Sequence, residues 1–307
     1  MDKKIFAVDI GGSKLICAVL LQNGEILDTY RIDYPKNYTL DDIVGYIRDG
    51  FLKLQDYGCE YCGVAIPGLC DAEKGIWLYS PFSGIGNVAI TQIISEMTGL
   101  PTFADNDVNI SALAEKYYGV CRDVSDFIWI TVSNGIGGGV FLNNKLYRGQ
   151  NLSAGEIGHF IVEEENGRKC GCGNTGCLEA MASGASIGAI YCERSGKQGL
   201  GAKEVDALAR AGDMEAQKVW QEAGWYIGKA ASYAVNLLGI DTVVLGGGAA
   251  EGFDLLEESI HKALDRFVFK SANKKVNVVH SGPGRFAALM GCAALVCEEI
   301  KNNFGGK

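Results

Sequence analysis

The stretch that decides the fold is FIWITVSNGIGGGVFLNNKL, residues 127–146. Its pattern predicts a strand, a glycine-rich loop, a second strand, an Asn-Asn turn and a third strand. The start of the chain repeats this plan, with apolar runs at 5–9 and 15–21 around the loop Asp9-Ile-Gly-Gly-Ser-Lys14, and a hairpin turn at Asn23-Gly24. Because one supersecondary unit is used twice, the sequence predicts two similar lobes that face each other.

The rest of the chain alternates between helical and strand patterns. Apolar residues recur at helical spacing from Thr39 to Leu54, and Asp213 precedes a long apolar helix that reaches Leu238. The other predicted elements are helices at 88–97, after Asp105-Asn106-Asp107, at 256–264 and from Phe286 to about Ile300, and strands at 61–66, 101–104 and 242–245. This alternation predicts an α/β fold with strands first in each lobe.

The composition excludes several classes of protein. The chain has 307 residues, 48 % of them apolar, which is enough for two lobes because single cores usually stop growing at about 250–300 residues. The formal net charge of −9 argues against a nucleic-acid partner. No apolar run approaches the roughly 18 residues of a membrane span, and residues 1–12 lack the apolar stretch of a signal peptide. We therefore expect a cytoplasmic protein without a membrane partner.

Three glycine-rich segments, at 9–14, 133–139 and 246–250, each follow a predicted buried strand. Glycine lets backbone N–H groups approach a phosphate without a Cβ in the way. One such loop is often a simple turn, but three after buried strands predict a nucleotide site. The chain has no GxxxxGK[ST] motif, so it is not a P-loop protein. Its only strict GxGxxG, Gly171 to Gly176, does not follow a strand, which argues against a dinucleotide fold.

Two acidic positions are candidates for chemistry. Asp9 ends a buried strand where the first glycine loop opens, so it either holds Mg²⁺ beside a nucleotide's phosphates or caps its own turn. Asn106 and Asp107 begin a predicted helix and are either N-cap residues or substrate contacts. In the functional interpretation, Asp107 accepts a proton from a substrate hydroxyl and Asn106 hydrogen-bonds a neighbouring hydroxyl.

A cluster of soft ligands follows the second hairpin. His159, Cys170, Cys172 and Cys177 form the pattern H-x10-C-x-C-x4-C, which supplies four ligands of the types that zinc takes in a closed structural site. The alternative is a reduced cysteine-rich turn; the eleven cysteines of a chain without a leader do not indicate a disulfide framework. Glu156 and Glu179 flank this predicted zinc loop, and carboxylates are good partners for sugar hydroxyls. One ring nitrogen of His159 could bind zinc while the other meets a hydroxyl.

Taken together, these residues resemble the ROK family, which contains bacterial-type glucokinases and N-acetylhexosamine kinases. The matching motifs cover nearly the whole chain: DIGGSK (9–14), AIPG (65–68), NDVN with ALAE (106–115), NGIGGG (134–139), AGEIGH (154–159), CGCGNTGCLE (170–179) and VVLGGG (243–248). The resemblance implies a two-lobed actin-like ATPase of the ribonuclease-H-like type, with ATP and sugar in the interlobe cleft and a structural zinc loop. The implied lobes are residues 1–117 plus 285–307, with the last helix returning to the first lobe, and residues 118–284.

The resemblance also implies a role for each matching residue. Asp107 would be the catalytic base. The sugar contacts would be Gly68, Asn106, Asp107, Glu156, His159 and Glu179. The residues around the nucleotide would be Asp9, Gly11, Gly12, Ser13, Lys14, Asn134, Gly135, Gly137 and Gly138 at the phosphates, and Gly246, Gly247 and Gly248 near the adenosine.

The expected activity is that of an ATP:hexose phosphotransferase. It uses ATP with Mg²⁺, carries one structural Zn²⁺ and phosphorylates the primary hydroxyl of glucose. The alternatives are N-acetylglucosamine, N-acetylmannosamine or another hexose as substrate, or a non-catalytic sugar-binding sensor. The resemblance further implies a homodimer or homotetramer. The family's repressors carry a helix-turn-helix before the first strand, which here is predicted to start near Lys4; with the acidic charge, this argues against a repressor.

Two segments depart from the family pattern. The loop that helps to close over the sugar usually resembles Asn-Leu-Pro-Gly-Trp, whereas this chain has Ser80-Pro-Phe-Ser-Gly-Ile-Gly-Asn87. The second phosphate segment usually has Thr where this chain has Asn134, whose amide can still donate a hydrogen bond. These departures leave the identity of the hexose open and predict altered nucleotide contacts with retained activity.

Overall fold

The computed structural model describes residues 3–35, 38–81, 83–270 and 275–304. The strands are β1 Lys4–Ile10, β2 Lys14–Leu21, β3 Ile26–Asp33, β4 Tyr61–Ile66, β5 Leu69–Asp71, β6 Ile76–Tyr79, β7 Thr102–Asn106, β8 Phe127–Val132, β9 Ile136–Leu142, β10 Lys145–Tyr147, β11 Thr242–Gly246 and β12 Asn277–His280. The α-helices are α1 Leu40–Leu54, α2 Ile90–Thr98, α3 Asp107–Tyr118, α4 Leu178–Ala182, α5 Gly184–Ser195, α6 Ala202–Arg210, α7 Met214–Leu238, α8 Phe253–Phe267 and α9 Ala287–Phe304.

The chain divides into two compact units. Unit 1 comprises Met1–Asp123, Arg148–Ser153 and Phe286–Lys307, and unit 2 comprises Val124–Tyr147 and Ala154–Arg285. The sequence prediction places residues 118–123 and 148–153 in the second lobe, and the structure groups both with unit 1. Tyr118 donates a hydrogen bond to the Gln22 carbonyl at 2.8 Å, and Arg148 forms an ion pair with Asp105. Such long-range contacts leave no local signal in the sequence.

The main sheet of unit 1 has the strand order β3-β2-β1-β4-β7. The first three strands form antiparallel hairpins, and β4 and β7 run parallel to β1. α9 packs closely against β4 and α3. A Cβ at Gly63 would lie 2.6 Å from the Cys292 carbonyl oxygen, and a Cβ at Gly291 would lie 1.9 Å from the Ile110 carbonyl oxygen. Glycine at these two positions therefore lets the last helix cover the unit's core.

Unit 2 has the same plan. Its sheet order is β10-β9-β8-β11-β12, with β8, β9 and β10 antiparallel and β11 and β12 parallel to β8. The repeated topology agrees with the duplicated unit that the sequence indicates. The structure corrects one detail: β9 begins at Ile136, so Gly137 to Gly139 lie in a paired strand and only residues 133–135 form the turn.

Helix ends follow local chemistry. The Asp213 side chain accepts a hydrogen bond from the Ala216 N–H at 3.0 Å, and Gly239, with φ 68°, ends α7 just after Leu238, as the sequence predicts. The sequence does not predict α4, α5, α6, β5, β6 or β12. Within the described ranges, no helix combines the length and apolar character needed to cross a bilayer.

Candidate active site

The parallel strands of unit 1 bring acidic residues to one edge of the sheet. Asp9 on β1 pairs in register with Ala65 on β4, and Ala65 pairs with Asp105 on β7. The chain then passes through Asn106 directly into α3, whose first residue is Asp107. Because the carboxyl ends of parallel strands form the usual ligand-binding edge of an α/β sheet, these residues define a candidate site.

Asp107 is a half-buried carboxyl group with a strongly raised pKa. Burial, and after it the charge of Asp9, raise the pKa of Asp107 to about 7, although hydrogen bonds from Val108 and Asn106 oppose the shift. Burial also raises the pKa of Asp9 to about 6, against the opposing charge of Lys14. A carboxylate whose pKa lies near neutral pH is suited to accept a proton from a hydroxyl.

Asn106 caps α3 and positions Asp107. Its Oδ1 accepts hydrogen bonds from the N–H groups of Val108 and Asn109, at 2.9 and 3.1 Å. Its Nδ2 donates to the Gly68 carbonyl at 2.7 Å and to Asp107 Oδ1 at 3.1 Å. The cap that the sequence suggested is therefore supplied by Asn106. Asp107 Oδ2 accepts no hydrogen bond from a residue that the structure describes, which leaves it open to a ligand.

Gly68 requires glycine for two reasons. Its φ is +89°, and a Cβ there would lie 2.2 Å from the Tyr79 carbonyl oxygen and 2.8 Å from Cδ of Pro81. The start of the unusual Ser80–Asn87 segment therefore packs against Gly68, whose carbonyl accepts a hydrogen bond from Asn106. The Ser80 N–H donates to the Ile85 carbonyl at 2.8 Å, which closes part of this loop on itself.

The first glycine loop connects β1 to β2. The Gly11 N–H donates to the Lys14 carbonyl at 2.9 Å, and the Tyr34 hydroxyl donates to the Gly11 carbonyl. Gly12 is partly exposed, while Ser13 and Lys14 are exposed and free to meet a ligand. Tyr34, which also donates its N–H to the Ser13 carbonyl at 3.0 Å, supports the loop and was not found from the sequence.

The second turn, in unit 2, is tight. The Ser133 N–H donates to the Gly135 carbonyl at 2.9 Å, and Asn134 is exposed at its tip. Gly138 is buried in β9, where a Cβ would lie 2.7 Å from the Gly155 carbonyl oxygen. Close packing against the 154–159 segment therefore explains the glycine at position 138. Of the phosphate residues predicted in the 134–138 segment, Asn134 and Gly135 lie in the turn, and Gly137 and Gly138 lie in β9.

The third glycine segment begins at Gly246, the last residue of β11. A Cβ at Gly246 would lie 2.3 Å from the Trp129 ring, and Gly247 has a φ of +92°. Gly248 is different, because no atom of the described residues lies within 4 Å of the position of its missing Cβ. Packing and backbone conformation therefore account for the first two glycines, and the third faces open space.

The predicted zinc ligands lie together in unit 2. The ligand atoms of His159, Cys170, Cys172 and Cys177 are all within 4.8 Å of one another. His159 Nδ1 is 3.8 Å from Cys170 Sγ, and Cys172 Sγ is 3.6 Å from Cys177 Sγ. Ligand atoms around a tetrahedral zinc are about 3.5–3.8 Å apart, so three thiols and an imidazole at these distances fit the ion.

The two glutamates beside this cluster have different surroundings. Glu156 is exposed, and its Oε2 lies 3.8 Å from His159 Nε2, the ring nitrogen that faces away from the cysteines. Glu179 lies in the first turn of α4, and its Oε2 accepts a hydrogen bond from the Ile136 N–H at 3.0 Å. One predicted sugar residue therefore contacts the second glycine turn, which the sequence did not suggest.

Sequence reasoning also missed a buried ion pair beside Asp107. Asp105 Oδ2 accepts a hydrogen bond from Nε of Arg148 at 2.8 Å, and Nη2 of the same guanidinium forms an ion-pair contact with this oxygen, also at 2.8 Å. Its Oδ1 accepts from the Asn106 N–H at 2.7 Å and from Asn109 Nδ2 at 3.2 Å. An acid that ends a buried strand was a usable signal for Asp105, but no local pattern pointed to Arg148.

Two α/β units with this repeated sheet order have the architecture of actin-like sugar kinases, as comparison with solved structures shows. The chain belongs to the ROK family, whose sequence pattern matches residues 5–299. The family and the fold class that the sequence predicted are therefore confirmed.

Relatives within the family include enzymes and regulators. The chain is 28 % identical to a glucokinase of Thermotoga maritima, over 97 % of this chain and 98 % of the relative. It is 32 % identical to an N-acetylmannosamine kinase of Escherichia fergusonii, over 82 % of this chain and 86 % of the relative. It is also 27 % identical to a xylose repressor of Bacillus subtilis, over 91 % of this chain and 73 % of the relative.

Among solved structures, a ROK glucokinase from Streptomyces griseus in complex with glucose and AMPPNP superposes with a TM-score of 0.85. The two sequences are 27 % identical, and the match covers 95 % of this chain and 98 % of the other. These comparisons support a sugar kinase, and the range of named relatives leaves the particular sugar undecided.

Proposed function

We propose that this chain is an ATP-dependent hexose kinase that phosphorylates the primary hydroxyl of glucose. The observation that carries the proposal is Asp107. Its carboxyl group is half-buried at the start of α3, its Oδ2 is open, and its pKa of about 7 suits a general base. The glucokinase relatives favour glucose over other hexoses.

In the proposed reaction, Asp107 Oδ2 accepts the proton of the primary hydroxyl as that oxygen forms a bond to the γ-phosphorus of ATP. The bond between the γ-phosphorus and the bridging oxygen breaks in line, and ADP leaves with its electrons. Such transfers depend mostly on positioning and charge neutralisation. Asn106 holds the base through its 3.1 Å hydrogen bond. Both N–H groups and both acceptor positions of its amide are engaged within the protein, so the proposed contact with a neighbouring sugar hydroxyl would replace one of these hydrogen bonds.

The remaining proposed roles follow the placement of the residues. Asp9, at the carboxyl end of β1, would hold the Mg²⁺ that accompanies ATP, directly or through water, and the ion supplies charge neutralisation. The turns at Gly11 to Lys14 and at Asn134 and Gly135 would meet the phosphates with N–H groups other than that of Gly11, which donates to the Lys14 carbonyl. Gly248 would lie by the adenosine. Glu156, His159 and Glu179 would recognise the sugar hydroxyls.

His159, Cys170, Cys172 and Cys177 would hold one Zn²⁺ as a structural ion. With four protein ligands, the site keeps no position for a catalytic water. In this arrangement His159 would bind the metal through Nδ1, and its Nε2, which lies 3.8 Å from Glu156 Oε2, would be held towards that carboxylate, so that the metal would orient both side chains for the sugar.

A sugar-responsive regulator without catalysis is the second candidate, because the xylose repressor matches most of the chain. The two candidates differ in what they require. A sensor needs the sugar residues alone, whereas a kinase also needs Asp9, Asp107 and the glycine turns. The presence of all of these residues favours the kinase.

The test is a coupled Mg-ATP turnover assay with a panel of glucose, N-acetylglucosamine, N-acetylmannosamine and allose, paired with calorimetric titration of each sugar alone. We expect kcat/KM to be highest for glucose. Highest turnover with an N-acetylhexosamine would transfer the proposal to that substrate class. Sugar binding without ATP turnover on any member of the panel would refute the kinase and support the sensor.

We also propose that the protein forms a homodimer or homotetramer, as the family resemblance implies. Sedimentation velocity over a hundredfold range of protein concentration is the direct measurement. A monomer at every concentration would contradict this proposal without affecting the proposed activity.

A further inference from the structure

Glu179 joins the proposed sugar site to the second glycine turn. Its carboxylate belongs to α4, two residues after the candidate zinc ligand Cys177. Its Oε2 accepts the Ile136 N–H at 3.0 Å, and a Cβ on Gly135 would lie 2.4 Å from the same oxygen. The carboxylate therefore occupies the space that a side chain at position 135 would fill.

The same segment also holds the other end of the turn. The Gly184 N–H, at the start of α5, donates to the Ser133 carbonyl at 2.7 Å. The approach is close, since a Cβ at Gly184 would lie 2.6 Å from that oxygen. Ser133 and Ile136, one on each side of Asn134-Gly135, are thus both anchored by residues that follow the cysteine cluster.

The second carboxylate oxygen of Glu179 is free. Oε1 has no hydrogen-bond partner in the described part of the chain, and the side chain is partly exposed. A carboxylate can accept hydrogen bonds on both oxygens at once. A sugar hydroxyl bound to Oε1 would therefore fix the orientation of the group whose Oε2 holds the turn.

We infer that Glu179 couples the two substrates, so that a sugar on Oε1 orders the Ser133–Ile136 turn and tightens nucleotide binding. The inference rests on the proposed function, which assigns this turn to the phosphates. The physical reason is that binding of the first ligand already includes the loss of conformational entropy of the turn. The second ligand then binds to an ordered turn without this loss. Thermodynamic linkage requires the nucleotide to tighten sugar binding by the same factor.

The test is calorimetric titration of AMPPNP with Mg²⁺ into the zinc-loaded protein, with and without saturating glucose. For the unaltered chain we expect glucose to lower the Kd of the nucleotide by at least about fivefold, the lower end of typical coupling between sites. Glu179→Ala should weaken nucleotide binding even without sugar and should abolish the effect of sugar. Glu179→Gln, whose side-chain oxygen can still accept the Ile136 N–H, should recover part of the affinity.

Glu156→Gln is the matched control, because Glu156 is a proposed sugar residue for which the described part of the chain shows no hydrogen bond to the turn. It should lose sugar affinity and keep the nucleotide affinity measured without sugar. Gly135→Ala is the second variant. The Cβ that this substitution introduces would displace the Glu179 carboxylate while the glutamate itself is retained. Gly135→Ala should therefore show the same nucleotide affinities as Glu179→Ala. If Glu179→Ala does not fold, Gly135→Ala provides the test of the coupling.

Unchanged nucleotide affinity in both Glu179→Ala and Gly135→Ala, together with unchanged tightening by glucose, would overturn the inference. That result is distinct from failure of the proposed function, which is read from turnover of the unaltered protein. A protein that phosphorylates glucose but shows normal nucleotide binding in both variants would remain a kinase without this coupling.

Discussion

Arg148 and Asp105 form an almost buried ion pair directly beside the proposed base. Two guanidinium nitrogens of Arg148 lie 2.8 Å from Asp105 Oδ2, and the Asp105 side chain is 1 % exposed. Asp105 also accepts hydrogen bonds from the Asn106 N–H and from Asn109 Nδ2, so the buried carboxylate has a charge partner in Arg148 and three hydrogen bonds in all. The pair therefore fixes the strand end from which Asn106 and Asp107 project.

Arg148→Met should destabilise the protein because it leaves the Asp105 carboxylate buried without its charge partner. Breaking a buried pair typically costs about 3–5 kcal/mol; since Arg148 keeps some contact with water, we expect about 2–4 kcal/mol in urea unfolding. Asp105→Asn in the same chain should recover much of the loss. Arg31→Met, which breaks an exposed pair with Asp33, is the control and should change stability little. Equal effects of the two arginine variants would contradict the prediction.

Asp107→Asn should lower kcat by about 10²–10⁴-fold, the range for loss of a general base. Sugar affinity should change little, since Asn has nearly the same shape and its Oδ1 can still accept the Val108 N–H. The measurements are steady-state turnover and sugar titration on the same preparation. Turnover close to that of the unaltered protein would mean that Asp107 only supports the helix start.

The same substitution should stabilise the protein at alkaline pH. The folded pKa of Asp107, about 7, lies above its ordinary value of 3.8, so the folded protein binds more protons than the unfolded chain between these values. Stability should therefore fall as pH rises from about 4 to about 7, by up to about 4 kcal/mol for this group. In urea unfolding without magnesium or nucleotide, the free energy of unfolding of Asp107→Asn should exceed that of the unaltered protein at pH 8. This difference in stability should vanish near pH 4. A difference in unfolding free energy that does not change with pH would argue against the shifted pKa of Asp107.

Cys172→Ser should lose zinc, because a hydroxyl is a far poorer zinc ligand than a thiolate. The loop around Cys170 and Asn174 has few partners beyond its own backbone hydrogen bonds, so without the ion it regains conformational freedom at roughly 1–2 kcal/mol per residue. Sugar affinity should fall steeply and nucleotide affinity much less. Elemental analysis and titrations before and after chelation provide the measurements.

The control for this experiment is Cys192→Ser. Cys192 lies on α5 outside the cluster, and its thiol donates only to the Leu200 carbonyl, so zinc content should be unaffected. Less than about half an equivalent of zinc in freshly purified protein would contradict the prediction. So would unchanged sugar affinity in metal-free Cys172→Ser.

Local signals explain why much of the fold could be predicted. The hairpins at residues 5–30 and 127–146 carry their own apolar runs and turn residues, and α7 is delimited by Asp213 and Gly239. The glycines were harder, because Gly138 and Gly246 serve close packing, and the packing partner is invisible in a linear pattern. The run of glycines at 137–139 suggested a loop, but these residues pair with β8 and lie in a strand.

The candidate site was predictable where a residue type carries its own chemistry. The four candidate zinc ligands lie together as their spacing indicates, and Asn106 caps α3, one of its two predicted roles. The supporting contacts were not predictable, because each joins residues that are far apart along the chain. Arg148 reaches Asp105, and Glu179 reaches Ile136, through hydrogen bonds that only the folded topology creates.

The position of α9 in the chain affects how the protein is made. This helix covers β4 and α3 of unit 1, and the Cys292 thiol donates to the Val8 carbonyl, yet its residues leave the ribosome about 280 residues after β1. At about 5–20 residues per second, the β1 strand waits roughly 15–60 s for its covering helix. Unit 2 is almost complete by then. The usual order of folding, in which the N-terminal domain folds first, is therefore expected to be reversed, and the first sheet is expected to stay uncovered until α9 has been synthesised.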